Sequence, residues 1–225
     1  MAGKADMIKD NVKALLAELP EGVELVAAAK TRSAAEISQA LEAGVEIIGE
    51  NYVQDLIRVY DSVKVPVLWH FIGHLQTNKV RQIVDKVDMV ETLDSLRLAE
   101  EINKRCAAID KVMPVLVEIN SAEEIAKAGV LPEDAENFVE KIAGLKNIAV
   151  KGLMTMGPMT AKDEDLRMYF SQTRRVFDRI KLRQIEGVKM KYLSMGMTSS
   201  YKLAIGEGAN MVRIGTRIFG ERNYD

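Results

Sequence analysis

Apolar positions along the 225-residue chain fall into two alternating patterns. Short, nearly continuous apolar runs occur at residues 25–29 (LVAAA), 45–50 (VEIIGE), 65–72 (VPVLWHFI), 87–92, 113–119 (MPVLVEI), 148–154, 191–195 and 211–214. Runs this short and this apolar read as buried strands. Between them the apolar residues recur at every third or fourth position, as helices do. A first helix over 6–19 carries Ile8, Val12, Leu15, Leu16 and Leu19 on one face and stops at Pro20; because it precedes the first strand it reads as a lid or bottom plug. Ser33 to Glu36 is a capping box that opens a helix over 34–43, and Gly44 ends it. Further helices are predicted over 51–63, 79–84, from a cap at Asp94 through Ile102, after Pro132 through Ile142, over 163–185 and over 198–205, with a terminal turn at 216–220.

Eight buried strands alternating with helices predict a parallel sheet covered by helices. In a chain of this length the units favour closure into an α/β, TIM-type (β/α)8 barrel with one extra N-terminal helix. No Pro/Gly/Ser-rich linker or change of composition divides the chain, so residues 1–225 read as a single domain.

Composition narrows the class. Hydrophobic residues make up 48% of the chain, ample for a core, and a net charge of −2 gives no electrostatic case for nucleic acid or an anionic membrane. The lone Cys106 excludes an internal disulfide and suits a reducing, cytoplasmic setting. Two histidines, His70 and His74, with that one cysteine argue against a structural zinc site. The first residues are studded with charge, unlike a signal peptide, and no apolar run is long enough to span a bilayer.

In such a barrel the working groups lie at the C-terminal ends of the strands. Lys30 ends the first strand, sharing a face with Val26 and the small Ala28. A lysine at that junction either emerges into solvent or is a partly buried amine of lowered pKa, able to form an imine. The ends of strands seven and eight, Ser194-Met195-Gly196-Met197-Thr198 and Arg213-Ile214-Gly215-Thr216, each combine hydroxyls with a glycine turn before a helix. That composition in those two loops points to phosphate, the alternative being two tight turns. Arg213 alternates with Val212 and Ile214, so it faces the barrel interior and should pair with a carboxylate such as Glu118 or with a ligand. Trp69, His70 and Phe71 read as packing, and His74 as a loop residue. A phosphate site, an imine-capable lysine and an arginine in one mouth fit pyridoxal phosphate.

The segments VAAAKTR, IGENYVQD, WHFIGHLQTNK, LSMGMTSSYKLAI and GANMVRIGTRIFG, spread over nearly the whole chain, resemble those of the pyridoxal phosphate homeostasis proteins, relatives of the alanine racemase N-terminal barrel. The resemblance implies a pyridoxal 5'-phosphate cofactor held as an imine on Lys30. It places Asn51 beside the cofactor, Ser194, Gly215 and Thr216 at its phosphate, and Arg213 at its pyridine nitrogen. Lys127 matches a possible secondary attachment lysine, although Ala126 stands where the family usually has serine. An arginine at the ring nitrogen only donates, so it leaves that nitrogen unprotonated and weakens the ring as an electron sink. Racemases of this fold add a second domain with an opposing tyrosine, and this chain ends at Asp225. The expected function is therefore a non-catalytic, monomeric carrier in vitamin B6 homeostasis, with apo-enzymes as transient recipients. The rival readings are a weak amino-acid racemase using the same imine, or an aldolase using Lys30 on a sugar phosphate.

Overall fold

A computed structural model describes residues 4–124, 128–157 and 162–221. Eight strands, all parallel to their neighbours, close into a barrel in sequence order, β8 pairing back onto β1. The strands are β1 (Glu24–Ala28), β2 (Ile47–Glu50), β3 (Leu68–Phe71), β4 (Met89–Leu93), β5 (Met113–Glu118), β6 (Ile148–Thr155), β7 (Val188–Met195) and β8 (Met211–Ile214). The helices are α1 (Lys4–Glu18), α2 (Ala34–Glu42), α3 (Val53–Tyr60), α4 (Leu96–Ala107), α5 (Ala135–Ala143), α6 (Asp163–Leu182), α7 (Tyr201–Gly206) and α8 (Thr216–Phe219). This is the TIM-type fold expected from the alternating pattern. No helix among the described residues is long and apolar enough to cross a membrane.

The period-two alternation of the strands separates two cores. Ala27, Trp69, Phe71, Val212 and Ile214 pack outward beneath the helices. Val26, Ile47, Ile72, Met89, Leu116, Met154 and Met211 fill the barrel itself, with Ala28 against them. Each such side chain contributes roughly 1.5–3 kcal/mol through burial. This apolar plug floors the barrel, so the polar inward residues further along the strands have a fixed base.

Several local expectations change. The helical segment expected over 79–84 is a 3-10 helix that begins two residues earlier, Thr77–Gln82. Ser95, not Asp94, caps α4, its hydroxyl accepting from the Leu98 amide at 3.4 Å. Pro132 lies ahead of α5, which begins at Ala135. The first helix is neither lid nor plug. Because α8 is a single short turn, α1 fills the gap in the outer ring, burying Ile8, Val12 and Leu15 and packing beside α2 and α8. Asn11 donates to the Ile218 carbonyl at 3.1 Å, and Glu18 pairs with Arg217 of α8 and Lys202 of α7. The N-terminal helix thereby steadies the loops that follow β7 and β8.

Candidate functional site

The turn that carries Lys30 is held from several sides. Thr31 adopts φ +67, a left-handed conformation that costs a β-branched residue about 1–3 kcal/mol and persists only where the surroundings impose it. They do: the Thr31 amide donates to Asp55 Oδ2 at 3.1 Å, and the Arg32 amide closes the turn on the Ala29 carbonyl at 2.8 Å. Arg58 braces Asp55 at 3.1 Å and reaches the Arg32 carbonyl at 3.4 Å. The buried Arg32 side chain donates to the Gly220 carbonyl at 2.6 Å, joining the lysine turn to the end of α8. Beyond it the capping box is formed as expected, Ser33 and Glu36 exchanging main-chain to side-chain bonds. Lys30 itself is half-buried at the mouth.

Sheet register brings the other expected residues to this point. Ala28 pairs with Gly49, so Lys30 and Asn51 stand at the same height two residues further along. The buried Oδ1 of Asn51 has no hydrogen-bond partner among the described residues. On the other side Ala27 pairs with Ile214, and a Cβ on Gly215 would come within 2.8 Å of the Ala28 carbonyl oxygen. Only glycine lets the loop after β8 lie this close to the lysine strand. Gly196, at φ +91, folds the loop after β7 against Tyr201, and its carbonyl accepts the Arg213 amide at 3.1 Å. Thr198 and the exposed Thr216 are the hydroxyls these loops present. Lys127 lies outside the described residues.

Ser194 departs from expectation. It is fully buried, its hydroxyl donating to Glu91 Oε2 at 2.7 Å and accepting from Arg213 Nη1 at 2.6 Å. Both bonds lie inside the barrel, because β7 turns Ser194 inward with Tyr192 rather than up into the loop, so the hydroxyl is not offered to a phosphate. Arg213 faces the interior as predicted, but its direct partners are Ser194 and the Thr155 carbonyl at 2.9 Å, not Glu118. Nor is His70 mere packing: it turns inward between the outward Trp69 and Phe71, and its Nδ1 lies 2.7 Å from Glu91 Oε1. A buried chain thus runs His70–Glu91–Ser194–Arg213–Thr155. Burial alone would raise the Glu91 carboxyl, but His70, Arg213 and Ser194 outweigh it and hold it below the ordinary carboxylate value. Burial lowers Arg213, which Glu91 and Glu118 counter. An arginine stays protonated in such a setting. Its hydrogen bonds to Ser194 and the Thr155 carbonyl fix the cation inside the barrel. Inward-facing His70, Glu91 and Glu118 were each visible as polar breaks in apolar strands, and that was the available signal.

Beside this chain a cavity of about 610 Å³ opens between the ends of β3 to β6, lined by His74, Asp94, Glu118, Asn120, Ser121 and Thr155 among others. Asp94, freed from capping, pairs with His74 at 3.2 Å. Among the described residues no group of three or more histidine, cysteine, aspartate or glutamate side chains could hold a metal ion.

Behind the lysine turn, Glu50 is fully buried and neither carboxyl oxygen has a hydrogen-bond partner among the described residues. Burial, with the nearby charge of Asp55, pushes it up to about 8 against the pull of Arg58. The unfolded chain releases this proton near 4.5 and the folded chain near 8, so the favourable contribution present below 4.5 is lost as pH rises through that window. Glu50→Gln should therefore gain stability relative to the parent by about 3–5 kcal/mol between pH 5 and 8.5. Urea midpoints at the two pH values measure this, and equal shifts at both would show that Glu50 titrates normally.

A closed eight-stranded barrel with a lysine after its first strand and glycine loops after its last two defines a class, and comparison with known proteins agrees. The chain belongs to the alanine racemase N-terminal domain family, which it matches over residues 4–223, and within it to the pyridoxal phosphate homeostasis proteins. It is 41% identical over 202 residues to the pyridoxal phosphate homeostasis protein of Aquifex aeolicus, covering 89% of this chain and 88% of that one. It is 35% identical over 212 residues to the protein of that name from Pasteurella multocida, covering 92% and 91%. Among solved structures it is similar to PipY of Synechococcus elongatus with pyridoxal phosphate bound, at a TM-score of 0.87 and 30% identity over 95% of this chain and all of that one.

Proposed function

We propose that this protein is a pyridoxal 5'-phosphate-binding protein of vitamin B6 homeostasis that holds the cofactor as a Schiff base on Lys30 and buffers or delivers it without turning over amino acids. The observation that carries this reading is that Lys30 follows β1, Arg213 lies inside the barrel on the neighbouring β8, and Gly215 brings the loop after β8 against Ala28. The groups present fit the cofactor: an amine on a fixed turn, a buried cation with fixed hydrogen bonds, an orphan acceptor at Asn51, and a glycine that brings main chain close. The relatives are named for the same role.

Pyridoxal phosphate supplies an aldehyde that condenses with amines and a pyridine ring that can take up electrons. Lys30 would hold the aldehyde end. The amides and hydroxyls of the loops containing Thr198, Gly215 and Thr216 would hold the phosphate, Ser194 acting beneath them by fixing Arg213. Arg213 would donate to the ring nitrogen and keep it unprotonated, which limits carbanion stabilisation. Lys127 remains a proposed secondary attachment. The reading places the protein in the cytoplasm as a monomer, with apo-enzymes as transient recipients.

Borohydride reduction of the loaded protein followed by peptide mass mapping should place the pyridoxyl group on Lys30, and Lys30→Ala should lose the yellow imine band. L-alanine incubated with the loaded protein should keep its chirality as long as it does with free cofactor. A pyridoxyl group found only on other lysines, or racemisation far above the free-cofactor rate that Lys30→Ala abolishes, would overturn the reading.

A further inference from the structure

One buried group beside the lysine turn has no part in the proposed function. Glu50 ends β2, and alternation from the inward Ile47 through the outward Ile48 turns it outward, paired in register with Phe71 of β3 and lying under the helices. It is fully buried, yet neither carboxyl oxygen has a hydrogen-bond partner among the described residues. A carboxyl so enclosed normally has one. The charges that act on it are Asp55 and Arg58 of α3. Both are already engaged in holding the turn that carries Lys30. Asp55 Oδ2 accepts from the amide of the left-handed Thr31 at 3.1 Å, while Arg58 reaches Asp55 Oδ1 at 3.1 Å and the Arg32 carbonyl at 3.4 Å. Of the other charged groups nearby, Arg32 of the turn pairs with Glu36 of α2 at 3.5 Å, and Lys30 stands half-buried at the mouth. His70 of β3 faces the interior, bound to Glu91.

We propose that Glu50 is a positioning residue for Lys30: with its proton it leaves the Asp55–Arg58 clamp on the lysine turn intact, and without it it draws Arg58 off, so that the grip on the cofactor follows the proton. The inference rests on the reading that the cofactor is tied to Lys30. Protonated, Glu50 is neutral, and Asp55 has Arg58 to itself. Loss of the proton to water leaves a carboxylate that nothing solvates, within the field of the Asp55 charge. Two anions then compete for one guanidinium. The Arg58 side chain is 56% exposed, so its head is free to swing toward Glu50. Asp55 loses its brace, and the left-handed Thr31, which persists only where its surroundings impose it, relaxes. Lys30 is the residue before it and moves with the turn. Burial and Asp55 push the carboxyl up to about 8 while the turn is shut, whereas a carboxyl opened to water titrates near 4.5. The shut turn therefore holds a proton that the open turn has released. Its advantage is complete below 4.5, declines as pH rises through that window and levels off above about 8. Reciprocally, cofactor binding within the window takes up protons at Glu50.

The test is the affinity for pyridoxal phosphate of the parent, Glu50→Gln and Asp55→Asn from pH 5.5 to 9, titrated by absorbance or fluorescence. Glutamine keeps the shape of the protonated carboxyl and cannot ionise, so the ratio of parent to variant removes the titration of the cofactor itself. The two should bind alike at pH 5.5, which shows that the variant is folded, and the parent should fall behind by about 10–100-fold by pH 8.5, at no more than tenfold per pH unit for one proton. Asp55→Asn keeps an oxygen for the Thr31 amide but removes the charge that raises Glu50, so its loss should level off at lower pH than the parent's. In the cofactor-free, ¹⁵N-labelled parent the Thr31 amide resonance should titrate between pH 5 and 8.5, and in Glu50→Gln it should stay in place. Parallel affinity profiles for parent and Glu50→Gln with the pyridoxyl group on Lys30, or a Thr31 amide that titrates alike in both, overturn this inference alone. No pyridoxyl on Lys30 in the borohydride-reduced parent overturns the proposed function beneath it.

Discussion

Pyridoxal without its phosphate should bind this protein roughly 10²–10⁴-fold more weakly than pyridoxal phosphate. The loops after β7 and β8 offer the Thr198 and Thr216 hydroxyls and main-chain amides that glycines at 196 and 215 allow to come close. Hydrogen bonds to a charged group are worth about 1.5–3 kcal/mol each, so losing two gives about 3–6 kcal/mol, or that range of affinity at about 1.4 kcal/mol per tenfold. The enclosed Ser194 hydroxyl is left out of this sum because Glu91 and Arg213 already use it. Fluorescence or absorbance titration of the cofactor-free protein with each aldehyde decides the matter. Equal affinities would show that these loops are turns and nothing more.

Replacing Glu91 by alanine should cost about 3–5 kcal/mol of folding stability, the penalty for leaving a buried partner charge uncompensated. Glu91 is fully buried, binds His70 through one oxygen and Ser194 through the other, and is one hydroxyl away from Arg213. Glu91→Gln keeps the shape but not the charge, so it should recover part of the loss and leave Arg213 poorly oriented. Urea unfolding gives the stability of each variant. A loss under about 1 kcal/mol for Glu91→Ala, the scale of an ordinary exposed pair, would mean that the chain of buried groups does not act as one unit.

What the sequence determined was whatever depends on near neighbours. Apolar runs at strand length and helical spacing between them were enough for the barrel, because burial on both faces makes a parallel strand read as a nearly continuous apolar run. Alternation along β1 and β8 put Val26, Ala28 and Arg213 on the inward face, and Ser33 with Glu36 announced the cap that follows the lysine turn. Alternation names a face, however, and not a partner. Closure of the barrel set His70, Glu91, Ser194 and Arg213 against one another across as many as 103 positions, and only that closure turned an expected phosphate hydroxyl into an internal link. The left-handed Thr31 had no glycine to betray it, since the bond to Asp55 that holds it comes from another helix. The place of α1 followed from the shortness of α8 at the opposite end of the chain. Glu118 and Asp94 became walls of one cavity because β4 and β5 are neighbours in the closed sheet, a proximity that no local spacing encodes.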